Sequence, residues 1–148
     1  MSSNCMIKLL PSQVPVFWEA IKYSCKQADE IDDARLPAYL NELLQALLCE
    51  RAQCWARLDD NRILIALMIT RILYDKQFDE RYLYIQSLYS WKLQPEDIWR
   101  RDMVLIRDFA KGEGCKYVGC TSRNERVWEI LKSHGFKEYT RIFSLRME

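Results

Sequence analysis

The sequence predicts a single α/β domain built on a mixed, mostly antiparallel sheet with helices on both faces, and three observations lead there. The chain has 148 residues, 49% of them hydrophobic, and a chain of about 150 residues buries roughly two thirds of the surface its unfolded form exposes. Apolar residues recur at helical spacing in four stretches and form short strand-like runs between them, in the order βααβββαβαββ. A helix joins two of the central strands, which makes them parallel neighbours, whereas the tight turns elsewhere make antiparallel ones. No linker, internal repeat or low-complexity segment marks a second domain.

Met6 to Leu10 is a short apolar run closed by Pro11, a first strand. A helix follows, with Ser12 as N-cap, Pro15 in the first turn, and Val14, Phe17, Trp18, Ile21, Cys25 and Ala28 in one stripe. The acidic stretch around Asp29, Glu30, Asp32 and Asp33 ends it. Leu36, Leu40, Leu43, Leu44 and Leu47 give a second helix to about Cys49 or Arg51. Cys54 to Leu58 and Arg62 to Tyr74 flank the turn Asp59-Asp60-Asn61 as a hairpin. The polar stretch Asp75 to Arg81 leads into Tyr82 to Trp91, an aromatic-rich third antiparallel strand.

Gln94-Pro95-Glu96-Asp97 opens a third helix, its acidic first turn suited to the helix dipole. Its stripe is Trp99, Met103, Ile106 and Ala110, supported by Leu105 and Phe109, and Gly112 and Gly114 end it. Lys116 to Thr121 is the parallel strand. A last helix from Asn124 to His134 carries Val127, Ile130, Leu131 and His134 on one face and closes at Gly135. Phe136 to Glu138 and Arg141 to Leu145 read as closing strands.

Charge and composition exclude several function classes. With 22 Lys+Arg against 21 Asp+Glu, the net charge of +1 supplies no general field for a phosphate backbone, so nucleic acid is not an expected partner. The longest apolar run, Ile63 to Ile69, is seven residues, where a membrane-spanning helix needs about 20. Residues 1 to 10 hold one Lys before Pro11 and leave no room for a secretory leader, so the expected location is the cytoplasm. Locally, the acidic cluster contrasts with residues 116 to 148, which hold seven Lys+Arg against four Glu. Both read first as solvated surface. Functionally they would form an acidic lip for a cationic amine and a basic wall for an anionic cofactor.

Cys5, Cys25, Cys49, Cys54, Cys115 and Cys120 argue neither for zinc nor for disulfides. Cys115 and Cys120 are five apart along a predicted strand, and such residues point to opposite faces if the strand continues through Cys115. Free cysteines in a leaderless chain are usually small buried hydrophobes, and no metal site is expected. The single histidine, His134, sits at a helix end where an imidazole contacts the last carbonyls.

The element order, the passage Phe109-Ala110-Lys111-Gly112-Glu113-Gly114-Cys115-Lys116-Tyr117-Val118 and the closing helix Asn124 to Lys132 followed by Ser133-His134-Gly135-Phe136 resemble the GCN5-related N-acetyltransferase (GNAT) family. The resemblance of order spans the whole chain. It implies that the strands before and after the third helix splay apart and that acetyl-coenzyme A lies in the wedge. The family's pyrophosphate loop, Gln/Arg-x-x-Gly-x-Gly/Ala, falls on Gln94-Pro95-Glu96-Asp97-Ile98-Trp99, with Arg100 next. Unpaired N–H donors at a helix start bind phosphate. Gln94 matches, but Asp97 and Trp99 stand where the glycines belong, Pro95 has no N–H, and Glu96 and Asp97 repel an anion. Trp99 turned outward would also cover the phosphate surface.

The resemblance further implies that a backbone N–H near Leu88 or Tyr89 polarises the thioester carbonyl, and that Asn124 either bonds the pantetheine arm or caps its helix. The family's strand carboxylate falls near Gln86 and its acid tyrosine at Leu131, neither able to do that work. Replacement acids are Tyr84 and Tyr139, and the replacement base is Glu80. The aromatics Tyr82, Tyr84, Tyr89 and Trp91 read first as packing and secondly as a substrate tunnel. The implied activity is acetyl transfer to a small-molecule or peptide amine by direct attack in a ternary complex. The alternative is a noncatalytic binding or assembly module that keeps the fold without using coenzyme A. A homodimer is compatible with either.

Overall fold

The computed structural model describes residues 6–147, so Cys5 lies outside the described residues. Five strands, β1 (Met6–Lys8), β2 (Ala52–Leu58), β3 (Leu64–Asp75), β4 (Glu80–Ser90) and β5 (Tyr117–Cys120), form one sheet in the order β1-β2-β3-β4-β5. The first four pair antiparallel, and β4 with β5 is parallel, from Tyr82 opposite Tyr117 to Ile85 opposite Cys120. The helices are α1 (Val14–Asp29), α2 (Leu36–Leu48), α3 (Glu96–Gly112) and α4 (Glu125–Ser133).

The sheet is covered on both faces, which the alternation of its side chains shows directly. Cys54, Ala56, Leu67 and Ile69 pack with Ile21 and Cys25 of α1 and Leu43 and Leu47 of α2. Their sequence neighbours Trp55 and Met68 join Leu83 and Ile85 in a second core with Met103, Ile106 and Ala110 of α3. Because successive strand residues point to opposite faces and both are covered, most of β2 and the run Ile65 to Thr70 of β3 are buried instead of alternating. Across the second core a fully buried Arg57 of β2 donates from Nε to Asp102 Oδ2 of α3 at 3.1 Å and pairs through Nη2 with Oδ1.

Three expectations require correction. Ser12 does not cap α1. Pro11–Gln13 form a 3-10 turn instead, where Gln13 Oε1 accepts from the Leu10 N–H at 2.8 Å and α1 starts at Val14. Leu105, expected to support the α3 stripe, is 38% exposed, because it falls outside the Trp99, Met103, Ile106, Ala110 face that is buried. The closing strands at Phe136 to Glu138 and Arg141 to Leu145 do not form: residues 136–147 are neither helix nor strand. Phe136 packs on the second core, but Tyr139, Ile142, Phe143 and Leu145 are exposed. Strand composition without a paired edge does not make a strand, and Glu138 instead turns locally to Arg141 at 2.8 Å.

The end of α1 is set by one strained residue. Glu30, the C-cap, takes φ 49°, a left-handed conformation that favours glycine. Glu30→Gly is expected to raise stability by about 0.5–1 kcal/mol, read as a higher thermal midpoint, and an unchanged or lower midpoint would show that Glu30 bears no strain.

Candidate active site

The pairing of β4 with β5 ends at Ile85 and Cys120, yet β4 runs on to Ser90 while the chain after Cys120 leaves the sheet toward α4. The two strands therefore diverge at their C-terminal ends, as expected from the sequence. A β-bulge sharpens the effect. Ile69 faces Ser87 and Thr70 faces Ile85, so Gln86 is an extra residue with no opposite number.

The bulge decides which amide faces the opening. Arg81 C=O accepts from the Lys116 N–H at 2.7 Å, so odd-numbered residues of β4 before the bulge point their backbone groups toward β5. After it the parity reverses. Trp91 N–H donates to Ile65 O of β3 at 2.9 Å, so Tyr89 also points to β3, and Leu88 N–H points into the gap that β5 has vacated. Of the two expected oxyanion donors, Leu88 is the one so aimed. Tyr89 contributes its ring, edge-on to Tyr23 at 5.8 Å and to Trp91 at 5.0 Å.

Two cavities meet at this opening. A small cleft of about 80 Å³ follows the freed edge of β4, and a large open cavity of about 1760 Å³ lies between β5 and residues 136–144. Ala28, Asp29, Gln86, Cys120, Thr121 and Ser122 line both.

Other predicted site residues fall into separate groups. At the start of α3, Gln94 is 9% exposed, and neither its amide nitrogen nor its oxygen has a hydrogen-bond partner among the described residues. A buried amide left without a partner is costly, and its place before a helix N-terminus suits a polar ligand. Glu96 and Asp97 are exposed, Ile98 is half-buried, and Arg100 answers Glu96 at 3.5 Å. Trp99 is 8% exposed and part of the α3 stripe, so it does not turn outward over the loop.

Tyr84 lies on the wall of the large cavity, its hydroxyl 2.6 Å from Thr121 Oγ1. Tyr139 is 83% exposed on the closing segment. Glu80 pairs with Asp75 at the far end of β4, about 26 Å of strand from Leu88, so the structure does not bring it to the divergence point. Asn124 accepts from the Arg126 N–H at 2.9 Å as the N-cap of α4 while also lining the small cleft. Tyr82 stacks on Tyr117 at 4.8 Å, as packing. His134 bonds its backbone N–H to Leu131 O at 3.0 Å, but its imidazole Nε2 is buried with no partner among the described residues, so the expected side-chain contact with the last carbonyls is not made there.

Sequence reasoning missed Tyr39 and placed Asp29 only within an acidic surface cluster, not as a half-buried carboxylate with a partner of its own. Gln86 Oε1 accepts from Arg71 Nε at 2.5 Å, and Gln86 Nε2 donates to Tyr39 Oη at 2.7 Å. The Tyr39 hydroxyl in turn donates to Asp29 Oδ2 at 2.8 Å. Arg71 is anchored beyond by Glu42, at 3.0 and 2.5 Å. Burial pushes the Asp29 carboxyl up and the Tyr39 hydrogen bond offsets part of that. Burial also pushes the Cys120 thiol up to about 12, with the Asp29 charge adding to it. The signal was available: Asp29 lies four residues after Cys25, on the inward face of α1, unlike Asp32 and Asp33 beyond the helix. Among the described residues no group of three or more His, Cys, Asp or Glu side chains is placed to hold a metal, and Cys25, Cys49, Cys54, Cys115 and Cys120 are free thiols.

No family model and no curated protein matches the sequence. Solved structures do match its shape. A probable acetyltransferase superposes with a TM-score of 0.75 at 10% identity, over 97% of both chains. The aminoglycoside N-acetyltransferase AAC(6')-Iy in complex with coenzyme A gives 0.70 at 15% identity, over 99% of this chain and 96% of that one. A ribosomal-protein-alanine N-acetyltransferase from Brucella melitensis gives 0.69 at 12% identity, over 98% and 100%. The chain has the GNAT acetyltransferase fold. Within a GNAT fold the divergence of β4 and β5 is the architectural feature the sequence predicted, and no helix among the described residues is long and apolar enough to cross a membrane.

Proposed function

We propose that the protein transfers an acetyl group from acetyl-coenzyme A to a primary amine by direct attack in a ternary complex. The observation that carries this reading is the freed edge of β4, where the Gln86 bulge aims the Leu88 N–H into a cleft closed on its other side by Cys120 to Ser122. Acetyl-coenzyme A, when bound, supplies an activated acyl carbon. The Leu88 N–H is placed to donate to the oxygen on which charge develops, and a preorganised donor of this kind contributes about 2.7–4 kcal/mol in well-studied cases. The orphaned amide of Gln94 and the first-turn N–H groups of α3 would hold the pyrophosphate, and Asn124 lines the same small cleft as Leu88. Several neighbours in shape are described as aminoglycoside acetyltransferases, one of them in complex with sisomicin, which supports a small polycationic acceptor, and a peptide amine is the other class.

Glu96 and Asp97 oppose the phosphates, each by about 0.3–1 kcal/mol when exposed. Isothermal titration is expected to show weak binding of acetyl-coenzyme A by the parent and roughly 3- to 30-fold tighter binding by Glu96→Gln/Asp97→Gly. The gain belongs at the lower end, because Arg100 already answers Glu96. Tight parent binding would show that the phosphates are held elsewhere, with Arg100, Arg101 and Arg123 the first to test. No binding by either protein would favour the noncatalytic module.

A further inference from the structure

The side-chain chain Glu42–Arg71–Gln86–Tyr39–Asp29 crosses from α2 through β3 and β4 back to α2 and ends on α1. Its last carboxylate lies on the wall common to the donor cleft and the large open cavity. A group there shares the small cleft with Leu88 and also borders the large cavity, whose open side would admit an acceptor. We propose that Asp29 accepts the proton an acceptor amine sheds as it attacks the acetyl carbon, and that Tyr39 and Gln86 hold its carboxylate for that task. The proposal rests on the acetyltransferase reading above and names its base.

Each link has a stated direction. The Arg71 guanidinium is fixed by Glu42 and donates to Gln86 Oε1, which orients the Gln86 amide so that its NH₂ donates to the Tyr39 oxygen. With that lone pair engaged, the Tyr39 hydrogen is directed at Asp29 Oδ2. Gln86 thus stands at the position of the family's carboxylate without being able to accept a proton, and passes its orientation to a carboxylate on another element. The titratable groups facing Asp29 are Cys25 on its own helix, Tyr39 on α2 and Cys120 on β5, with the neutral Gln86 on β4. None of these is a cation, so burial leaves Asp29 a better proton acceptor than an exposed carboxylate.

The chemistry balances without a further reactant. The neutral amine nitrogen forms a bond to the acetyl carbon, and the carbon–sulfur bond breaks. The proton lost by nitrogen goes to Asp29, and the departing thiolate takes one from water. The amide and free coenzyme A leave, and Asp29 returns its proton to solvent through the open cavity.

The test measures kcat/KM across about pH 5 to 9 for the intact protein, Asp29→Asn and Tyr39→Phe, with sisomicin and an alanine-terminated peptide as acceptors. Acetyl-coenzyme A affinity is measured in parallel by titration, and folding by thermal melting. Asp29→Asn is expected to keep its affinity for acetyl-coenzyme A, to lose roughly 100-fold or more in kcat/KM, and to lose the acid limb of the profile. Tyr39→Phe removes the hydrogen bond that lowers the Asp29 carboxyl, so its acid limb moves to higher pH while activity above that limb persists. A carboxylate with a merely structural role would lower the rate without moving either limb. Asp29→Asn activity within about threefold of the intact protein, or an unchanged acid limb, overturns the assignment while leaving the acetyltransferase reading standing. Failure of the intact protein to bind acetyl-coenzyme A and to acetylate either probe overturns both.

Discussion

Asp102→Ala is expected to destabilise the protein by about 3–5 kcal/mol, because it leaves the Arg57 guanidinium charged and fully buried without its carboxylate. At roughly 2–4 °C per kcal/mol for a chain of this size, the thermal midpoint should fall by about 6–20 °C. The pair itself is not the main source of stability. Burial pushes the Asp102 carboxyl above its ordinary value and Arg57 offsets only part of that, so desolvation outweighs attraction. The double replacement Arg57→Met/Asp102→Leu should therefore recover most of the loss or exceed the parent. What the pair adds is specificity: it links the middle of α3 to β2, fixing the rotation of a helix whose other contacts in that core are apolar. If Asp102→Ala melts within about 1 kcal/mol of the parent, the second core holds α3 without the pair.

The parts of the fold legible in the sequence were those written in local periodicity. Trp99, Met103, Ile106 and Ala110 repeat at intervals of three and four, and the structure buries all four. The turn cluster Asp59-Asp60-Asn61 anticipated the hairpin of β2 and β3, and the helix between β4 and β5 anticipated their parallel pairing. The site was less legible because it depends on register. Nothing near Gln86 marks a bulge, yet that one extra residue turns Leu88 N–H, not that of Tyr89, toward the cleft. Asp29 was hidden by company: it shares a short stretch with Glu30, Asp32 and Asp33, and only the exact end of α1 separates the carboxylate on the inner face from the solvated ones. The closing segment misled in the opposite way, since Phe143 and Leu145 have the alternation of a strand but no neighbour to pair with.

Leu43→Ala should cost about 2–5 kcal/mol, the range for deleting a fully buried leucine side chain. Leu43 is 0% exposed and belongs to the first core with Ile21 and Cys25 of α1 and Leu67 and Ile69 of β3, a helix and a central strand that leave little freedom to close the void. Val16→Ala, on the exposed side of α1 at 80% exposure, is the control and should change stability by less than about 0.5 kcal/mol. The consequence reaches the cleft, because Tyr39 precedes Leu43 by one helical turn on the same face and Glu42 is its immediate neighbour. A void under Leu43 loosens the segment that aims the Tyr39 hydroxyl at Asp29 and the one that anchors Arg71. At a temperature where Leu43→Ala is still fully folded, its acid limb should therefore shift in the same direction as that of Tyr39→Phe, but less. A destabilised variant with the parent's profile would show that Tyr39 is held by its hydrogen bonds alone, independently of the packing beneath α2.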